Sequence, residues 1–325
     1  MRTYIVLTNS DCNLRCSYCC ECRKRAAVFN VEDNIDYLLR RLGEDAPQAG
    51  EKVLLYCIGG ESLLHPQKLD TFFSRVKERI DPRFAIDTRF MIQTNGTLVT
   101  RSEQSAFLEK WRNVVRLGFS IDGMKYKHNR DRCGSFDACI DGLEYAKTLL
   151  SPEQITIKGT FTVEDIPRFA ENVKYLLSLG VSSVKSNFDT GTVIPERLAS
   201  LLAWQMCSVV DWLAETKCPT WWSELNDPSA FADLGCGVGD GSRCLGLDGH
   251  EYPCFVFASN NDRRAAVCQE ANECTACVLK CCCVPCVAAM LAGGHAKRPW
   301  CAYTWARTIA RMYAMLRKVE KPWHS

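Results

Sequence analysis

The chain has 325 residues, enough for a barrel-sized domain with a large core and a smaller one beside it. Its 40 basic and 38 acidic residues leave a net charge of +2, which gives no electrostatic case for a nucleic-acid or membrane partner. No apolar run reaches the length of a membrane span, so neither composition nor patterning points to a membrane protein.

The N-terminus, "MRTYIVLTNSDCN", carries one arginine and a short apolar stretch without a small-residue cleavage site; it reads as a strand, not a signal peptide, and implies a cytoplasmic chain. Further β-rich runs are "KVLLYCI" (52–58), "RFMIQT" (89–94), "VVRLGFSI" (114–121), "ITIKGTFT" (155–162) and "SVKSNF" (183–188), after "TYIVLT" (3–8). Amphipathic patterns predict helices over about 31–41, 66–80, 101–111, 136–150, 167–179 and 195–216. Six strands alternating with six helices argue for parallel βα units with helices covering one face of a sheet. In such barrels functional groups sit at the C-terminal ends of the strands. "DCNLRCSYC" follows the first strand, "GGE" (59–61) the second and "TNG" (94–96) the third, while "SIDG" (120–123) ends the fourth.

Twenty-one cysteines are too many for ordinary core residues of such a chain, and disulfide frameworks belong mainly to small secreted proteins. Metal ligation is the economical reading. Five cysteines lie between Cys12 and Cys22 and eleven between Cys236 and Cys301, so two metal-bearing regions are expected. A structural zinc site wants four ligands, yet after Cys12, Cys16 and Cys19 no partner pair occurs before Cys57. A 4Fe–4S cube held by three thiolates keeps one iron open for a cofactor. Cys20 and Cys22 could in principle compete as ligands, but Cys20, adjacent to Cys19, is awkward geometrically as a further ligand to the same cube.

Cys-x3-Cys-x-aromatic-Cys, with Tyr18 before Cys19, resembles the signature of radical S-adenosylmethionine (radical SAM) enzymes. The likeness extends to Gly59, Gly60 and Glu61, similar to the loop that holds the methionine amino group. It includes Thr94, Asn95 and Ser120 to Gly123, similar to later cofactor-lining segments. "HNRDR" resembles His-Asp-x-x-Arg, with Asn129 in place of the acid; Ser62 stands where many members have proline. The resemblance implies an α/β fold, a partial (β/α)6 TIM-like barrel over 1–216, followed by a cysteine-rich iron–sulfur domain over 217–325 with a closing helix. It implies a 4Fe–4S cluster, S-adenosylmethionine and a 5′-deoxyadenosyl radical. Glu61 would accept from the cofactor amine, Arg132 would pair with its carboxylate, and Ser120 could reach a ribose hydroxyl. Asp122 is a weaker candidate because it can cap the following turn.

In the C-terminal third, "LGLDGHEYPC" reads as a β-hairpin with an Asp-Gly turn ending at Cys254. Cys236, twelve residues, Gly249, four residues and Cys254 are similar to the opening of the SPASM extension, which holds two auxiliary 4Fe–4S clusters. By that resemblance one cluster would use Cys236, Cys244, Cys254 and Cys286. The other would use Cys274, Cys277, Cys282 or Cys283, and Cys301, since the triple-cysteine run satisfies one spacing from each residue. Structural zinc is the competing reading of these pairs. The last helix begins at Cys301.

The resemblance implies a peptide or protein substrate, with crosslinking, epimerisation or oxidation as outcome, and a flavodoxin- or ferredoxin-like electron donor. Because Cys12 lies so near the start, leader recognition is expected from the C-terminal domain or from a separate peptide-recognition protein, or else no leader is used at all. Cys268 and Cys281 fit no cluster pattern and are candidate hydrogen donors, against a reading as packing residues. Formylglycine formation, as in sulfatase maturation, is disfavoured: Phe255 stands where those enzymes commonly have an aspartate. Rearrangement or decarboxylation of a small molecule or modified nucleotide is the alternative.

Overall fold

The computed structural model describes residues 2–19, 27–45, 53–81, 88–189, 192–225, 244–252, 254–259 and 301–319. In chain order they form β1 (Arg2–Leu7), α1 (Val31–Asp45), β2 (Val53–Ile58), α2 (Pro66–Arg79), β3 (Arg89–Thr94), α3 (Ser102–Trp111) and β4 (Val115–Ser120). Next come α4 (Lys125–Asp131), α5 (Phe136–Leu149), β5 (Ile155–Phe161), α6 (Phe169–Leu177), β6 (Ser183–Phe188) and α7 (Ala199–Thr216). The chain continues through β7 (Trp221–Trp222), β8 (Cys244–Leu245), β9 (Glu251–Tyr252), α8 (Phe255–Ser259) and α9 (Cys301–Leu316). Each of the six expected strands and six expected helices is present. The helix expected from 195 starts as a 3-10 turn, Glu196–Leu198, before α7. The α4 helix was not among the expected elements.

Local chemistry accounts for these boundaries. Asn30 caps α1, its Oδ1 accepting from the Glu32 amide at 3.0 Å, and Glu32 and Asp33 place negative charge on the first turn. Pro66 opens α2, where its missing N–H has no helical partner to lose. β3 alternates strictly: Phe90, Ile92 and Thr94 are buried, whereas Arg89, Met91 and Gln93 are half-buried.

The chain forms two compact units. The first is drawn from Met1–Ser120, Asn129–Ile155 and Val238–Ala265. Here β4, β3, β2, β1 and β8 lie side by side in parallel, and β9 pairs antiparallel with β8, Cys244 opposite Tyr252. The expected hairpin therefore forms, with Gly249 at φ +78° in its turn. Phe90 of β3 stacks on Phe73 of α2 with centroids 3.8 Å apart, in a core shared with Leu55, Leu117 and Phe119. The opposite face carries half-buried Tyr56, Met91, Gln93 and Ser120.

The second unit is drawn from Ile121–His128, Thr156–Gly237 and Ala266–Ser325. β5, β6 and β7 are parallel neighbours in that order. Phe161, Phe169, Phe188 and Trp222 form its aromatic core. The α9 helix packs along α7 and buries Ala306, Ala310 and Ala314. Buried Glu224 fastens it: the carboxylate accepts from the Tyr303 hydroxyl, and the carbonyl accepts from Arg311 Nε at 2.8 Å. Among the described residues no helix is long and apolar enough to cross a membrane.

Candidate metal and cofactor site

The cysteine loop leaves β1 and is held by donors aimed at its sulfurs. Cys12 Sγ accepts from the Leu14 amide at 3.4 Å and from Asn95 Nδ2 at 3.7 Å. Cys16 Sγ lies 3.7 Å from Arg132 Nη1, and the Arg132 guanidinium sits 5.4 Å from the centre of the Tyr18 ring. The Ser17 amide donates to the Asp131 carbonyl at 2.9 Å, and Cys133 Sγ donates to the Arg15 carbonyl at 2.9 Å. The end of α4 and the residues just after it thus support the loop from one side. Cys12, Cys16 and Cys19 are half-buried and belong to no disulfide.

This donor set fits an iron–sulfur cluster. Hydrogen bonds to ligand sulfurs stabilise the thiolate and tune a cluster's potential. Burial pushes the Cys12 thiol up, with a further contribution from the Glu61 charge, while the Leu14 and Asn95 donors pull the other way. Among the described residues no group of three or more His, Cys, Asp or Glu side chains has the spacing to hold a metal ion. Thiolates on a cube each take a different iron, so they need not converge on one point.

The GGE loop is fused to the cysteine loop through its backbone. The Gly60 amide donates to the Asn9 carbonyl at 2.9 Å, the Glu61 amide to the Asp11 carbonyl at 2.8 Å, and Asn9 Nδ2 to the Glu61 carbonyl at 2.8 Å. A Cβ on Gly59 would stand 2.3 Å from the Asn9 carbonyl oxygen, and one on Gly60 would stand 2.0 Å from that of Asp11. Only glycine permits this approach. His65 Nε2 lies 2.9 Å from Asp11 Oδ2, a second link between the two loops.

Glu61 is fully buried, and its carboxylate accepts from the Leu63 amide at 3.0 Å, the Thr94 hydroxyl at 2.7 Å and the Asn95 amide at 2.6 Å. Burial pushes this carboxyl up, against the pull of these donors and of Arg132. The TNG segment continues the chain of contacts, Asn95 Nδ2 donating to Asn13 Oδ1 at 2.9 Å. Gly59, Gly60, Glu61, Thr94, Asn95 and Arg132 are therefore joined to the cysteine loop, with sulfur contacts at Cys12 and Cys16. Ser120, the last residue of β4, accepts from Gln93 Nε2 at 2.8 Å.

Asp122 belongs to the second unit. It is buried, and its Oδ1 accepts from the Thr160 amide at 2.9 Å, tying the SIDG turn to β5. Its own amide lies 3.4 Å from His128 Nδ1. The adjacent Lys127, with no exposed side-chain surface, donates to the Thr160 carbonyl at 2.6 Å and lies 3.3 Å from Asp165 Oδ2.

Of the second cysteine region, Cys244 and Cys254 are described. Both are buried, and burial, then the proximity of Cys254, raises the Cys244 thiol. The backbone of Cys301 opens α9. Cys236, Cys268, Cys274, Cys277, Cys281, Cys282, Cys283 and Cys286 lie outside the described residues. Three residues that the motifs did not signal take part in the first unit: Asn9, Tyr56 and Gln93. The only sequence signal for Tyr56 and Gln93 is strand alternation, which puts them on one face of the sheet.

Residues 6–173 match the model of the Radical SAM superfamily. The uncharacterized protein MJ0907 of Methanocaldococcus jannaschii is 27% identical over 195 residues, which cover 57% of this chain and 61% of that protein. The match thus spans less than two thirds of that relative's length. The structure of native anSMEcpe with bound AdoMet and Kp18Cys peptide is similar, with a TM-score of 0.74 and 16% identity, over 97% of this chain and 98% of that chain. Streptococcus suis SuiB bound to precursor peptide SuiA is similar with a TM-score of 0.63 and 15% identity, over 90% of this chain and 73% of that chain.

Proposed function

Because this chain belongs to the Radical SAM superfamily, we propose that it takes a hydrogen atom from a peptide or protein substrate, leading to crosslinking, epimerisation or oxidation. When bound, the superfamily's 4Fe–4S cluster and S-adenosylmethionine supply a 5′-deoxyadenosyl radical able to break an unactivated C–H bond. The side chains of the first unit have the complementary tasks. Cys12, Cys16 and Cys19 would hold three irons, with Leu14, Asn95 and Arg132 donating to two of the sulfurs. Glu61 locks the GGE and TNG segments together, leaving backbone carbonyls and one carboxylate lone-pair site for the cofactor amine. Arg132 is the cation for the cofactor carboxylate. Cys244 and Cys254 would serve an auxiliary cluster.

The observation that carries the peptide reading is the likeness, over nearly the whole chain, to a protein whose structure has bound AdoMet and a peptide. SuiB, bound to its precursor peptide, supports the same reading. Two measurements test it. Anaerobically reconstituted protein should hold about twelve irons, and Cys12→Ala, Cys16→Ala, Cys19→Ala together should remove about four of them and all 5′-deoxyadenosine formation. Deuterium should then pass into 5′-deoxyadenosine from a deuterated peptide fraction of cell extract. Transfer from the small-molecule fraction alone would overturn the peptide reading in favour of a small-molecule substrate.

A further inference from the structure

The face of the first unit's sheet opposite the Phe73–Phe90 core carries a hydrogen-bonded chain that crosses three strands. The Tyr56 hydroxyl of β2 donates to Gln93 Oε1 of β3 at 2.9 Å, and Gln93 Nε2 donates to Ser120 Oγ of β4 at 2.8 Å. Burial pushes the Tyr56 phenol up to about 12, so it remains a neutral donor throughout the physiological range. Gly118, opposite Gln93 in the register, makes the room: a Cβ there would stand 2.6 Å from Gln93 Oε1 and 2.9 Å from Met91 Cε. A serine side chain has three staggered positions about a single torsion. The hydrogen bond from Gln93 selects one of them, and Tyr56 fixes Gln93 in turn. Ser120 ends its strand half-buried, on the edge from which the cysteine, GGE and TNG loops leave the other strands.

We propose that Gln93 and Tyr56 are positioning residues: they hold the Ser120 hydroxyl in the one orientation that meets the sugar hydroxyls of S-adenosylmethionine. The inference rests on superfamily membership and on the resemblance by which Ser120 would reach a ribose hydroxyl, and not on the identity of the substrate. Gln93 and Tyr56 act through Ser120 and need not touch the cofactor. The consequence is specific. Removing Gln93 weakens ribose recognition only by way of Ser120, so losses from the two sites do not add.

The test is equilibrium binding to the reconstituted full chain, without reductant, of S-adenosylmethionine and its 2′-deoxy and 3′-deoxy analogues. Iron content and circular dichroism establish that each variant is folded and loaded. We expect the wild type to prefer the cofactor over one of the two analogues by about tenfold, in keeping with one hydrogen bond. Ser120→Ala and Gln93→Leu should each abolish that preference, and the double variant should lose no more than either alone. Tyr56→Phe should lose part of it. Gly118→Ala, which pushes Gln93 aside without removing any of the three polar side chains, should behave like Gln93→Leu. Unchanged preference in Gln93→Leu, a loss shared equally by all three ligands, or additive losses in the double variant would overturn the proposal. Failure of the wild type to bind S-adenosylmethionine would instead overturn the cofactor assignment and the proposal with it. A small-molecule substrate would leave the binding result intact.

Discussion

The Glu61 carboxylate and the Asn95 amide, 34 residues apart in sequence, meet at 2.6 Å in a site without solvent exposure at Glu61. Two loops that each face the cysteines are thereby made one rigid piece. Replacing Glu61 by Ala strands the Leu63, Thr94 and Asn95 donors. Each unsatisfied buried donor costs roughly 1–3 kcal/mol, so a total loss of about 3 kcal/mol or more is expected in denaturant unfolding. Iron at the N-terminal loop should fall with it. A loss below about 1 kcal/mol would mean that water replaces the carboxylate.

Gly60→Ala should be disproportionately harmful for the addition of one methyl group. Its Cβ would stand 2.0 Å from a backbone oxygen, which cannot swing aside as a side chain can. We expect destabilisation of about 2–3 kcal/mol and poor retention of the N-terminal cluster. Gly43→Ala, where nothing lies within 4 Å, is the control and should be neutral or slightly stabilising.

How far such positions are legible beforehand depends on the range of the forces involved. β3 is plain in "RFMIQT" because a two-residue alternation is local. The cysteine loop and GGE are plain as motifs. The reason for the two glycines is not, because the oxygens they avoid belong to Asn9 and Asp11, on another loop. The α4 helix is harder still. "KYKHNRD" has no apolar stripe, and its buried Lys127 is accommodated by Asp165 far along the chain. The role of Gln93 is hidden for the same reason: its partners lie on the two flanking strands.

Asp165→Ala in the second unit leaves Lys127 buried without its carboxylate and frees the Thr162 amide that Asp165 accepts at 2.7 Å. Breaking one side of a buried ion pair costs about 3–5 kcal/mol. Thermal or denaturant unfolding reads this directly. The paired replacement Lys127→Met with Asp165→Leu should recover much of the loss, and a failure to recover would point to the Thr162 and Thr160 contacts instead.

Tyr56 imposes a pH dependence of known sign. Its folded pKa, about 12, lies above the ordinary 10.0, so its protonated form stabilises the fold. That contribution is fully present below about pH 10 and disappears as pH rises toward 12. Unfolding free energies of wild type and Tyr56→Phe, compared across that range, should converge as the pH rises. A constant difference would place the phenol at its ordinary value.

The pairing of β8 with β1 has a consequence for the spacing of the two thiol-bearing regions. Cys244 stands opposite Ile5 in a parallel ladder, and β1 leads within a few residues to Cys12. Parallel strands advance about 3.3 Å per residue, so the sheet acts as a ruler between the two. Lengthening or shortening the connection between α7 and β8 leaves that ruler untouched. A slip of β8 by two residues, the smallest that keeps each side chain on its own face of the sheet, would move Cys244 in a single step of about 7 Å. The span between the two thiol-bearing regions is therefore set in increments by strand register, and cannot be adjusted gradually by loop evolution.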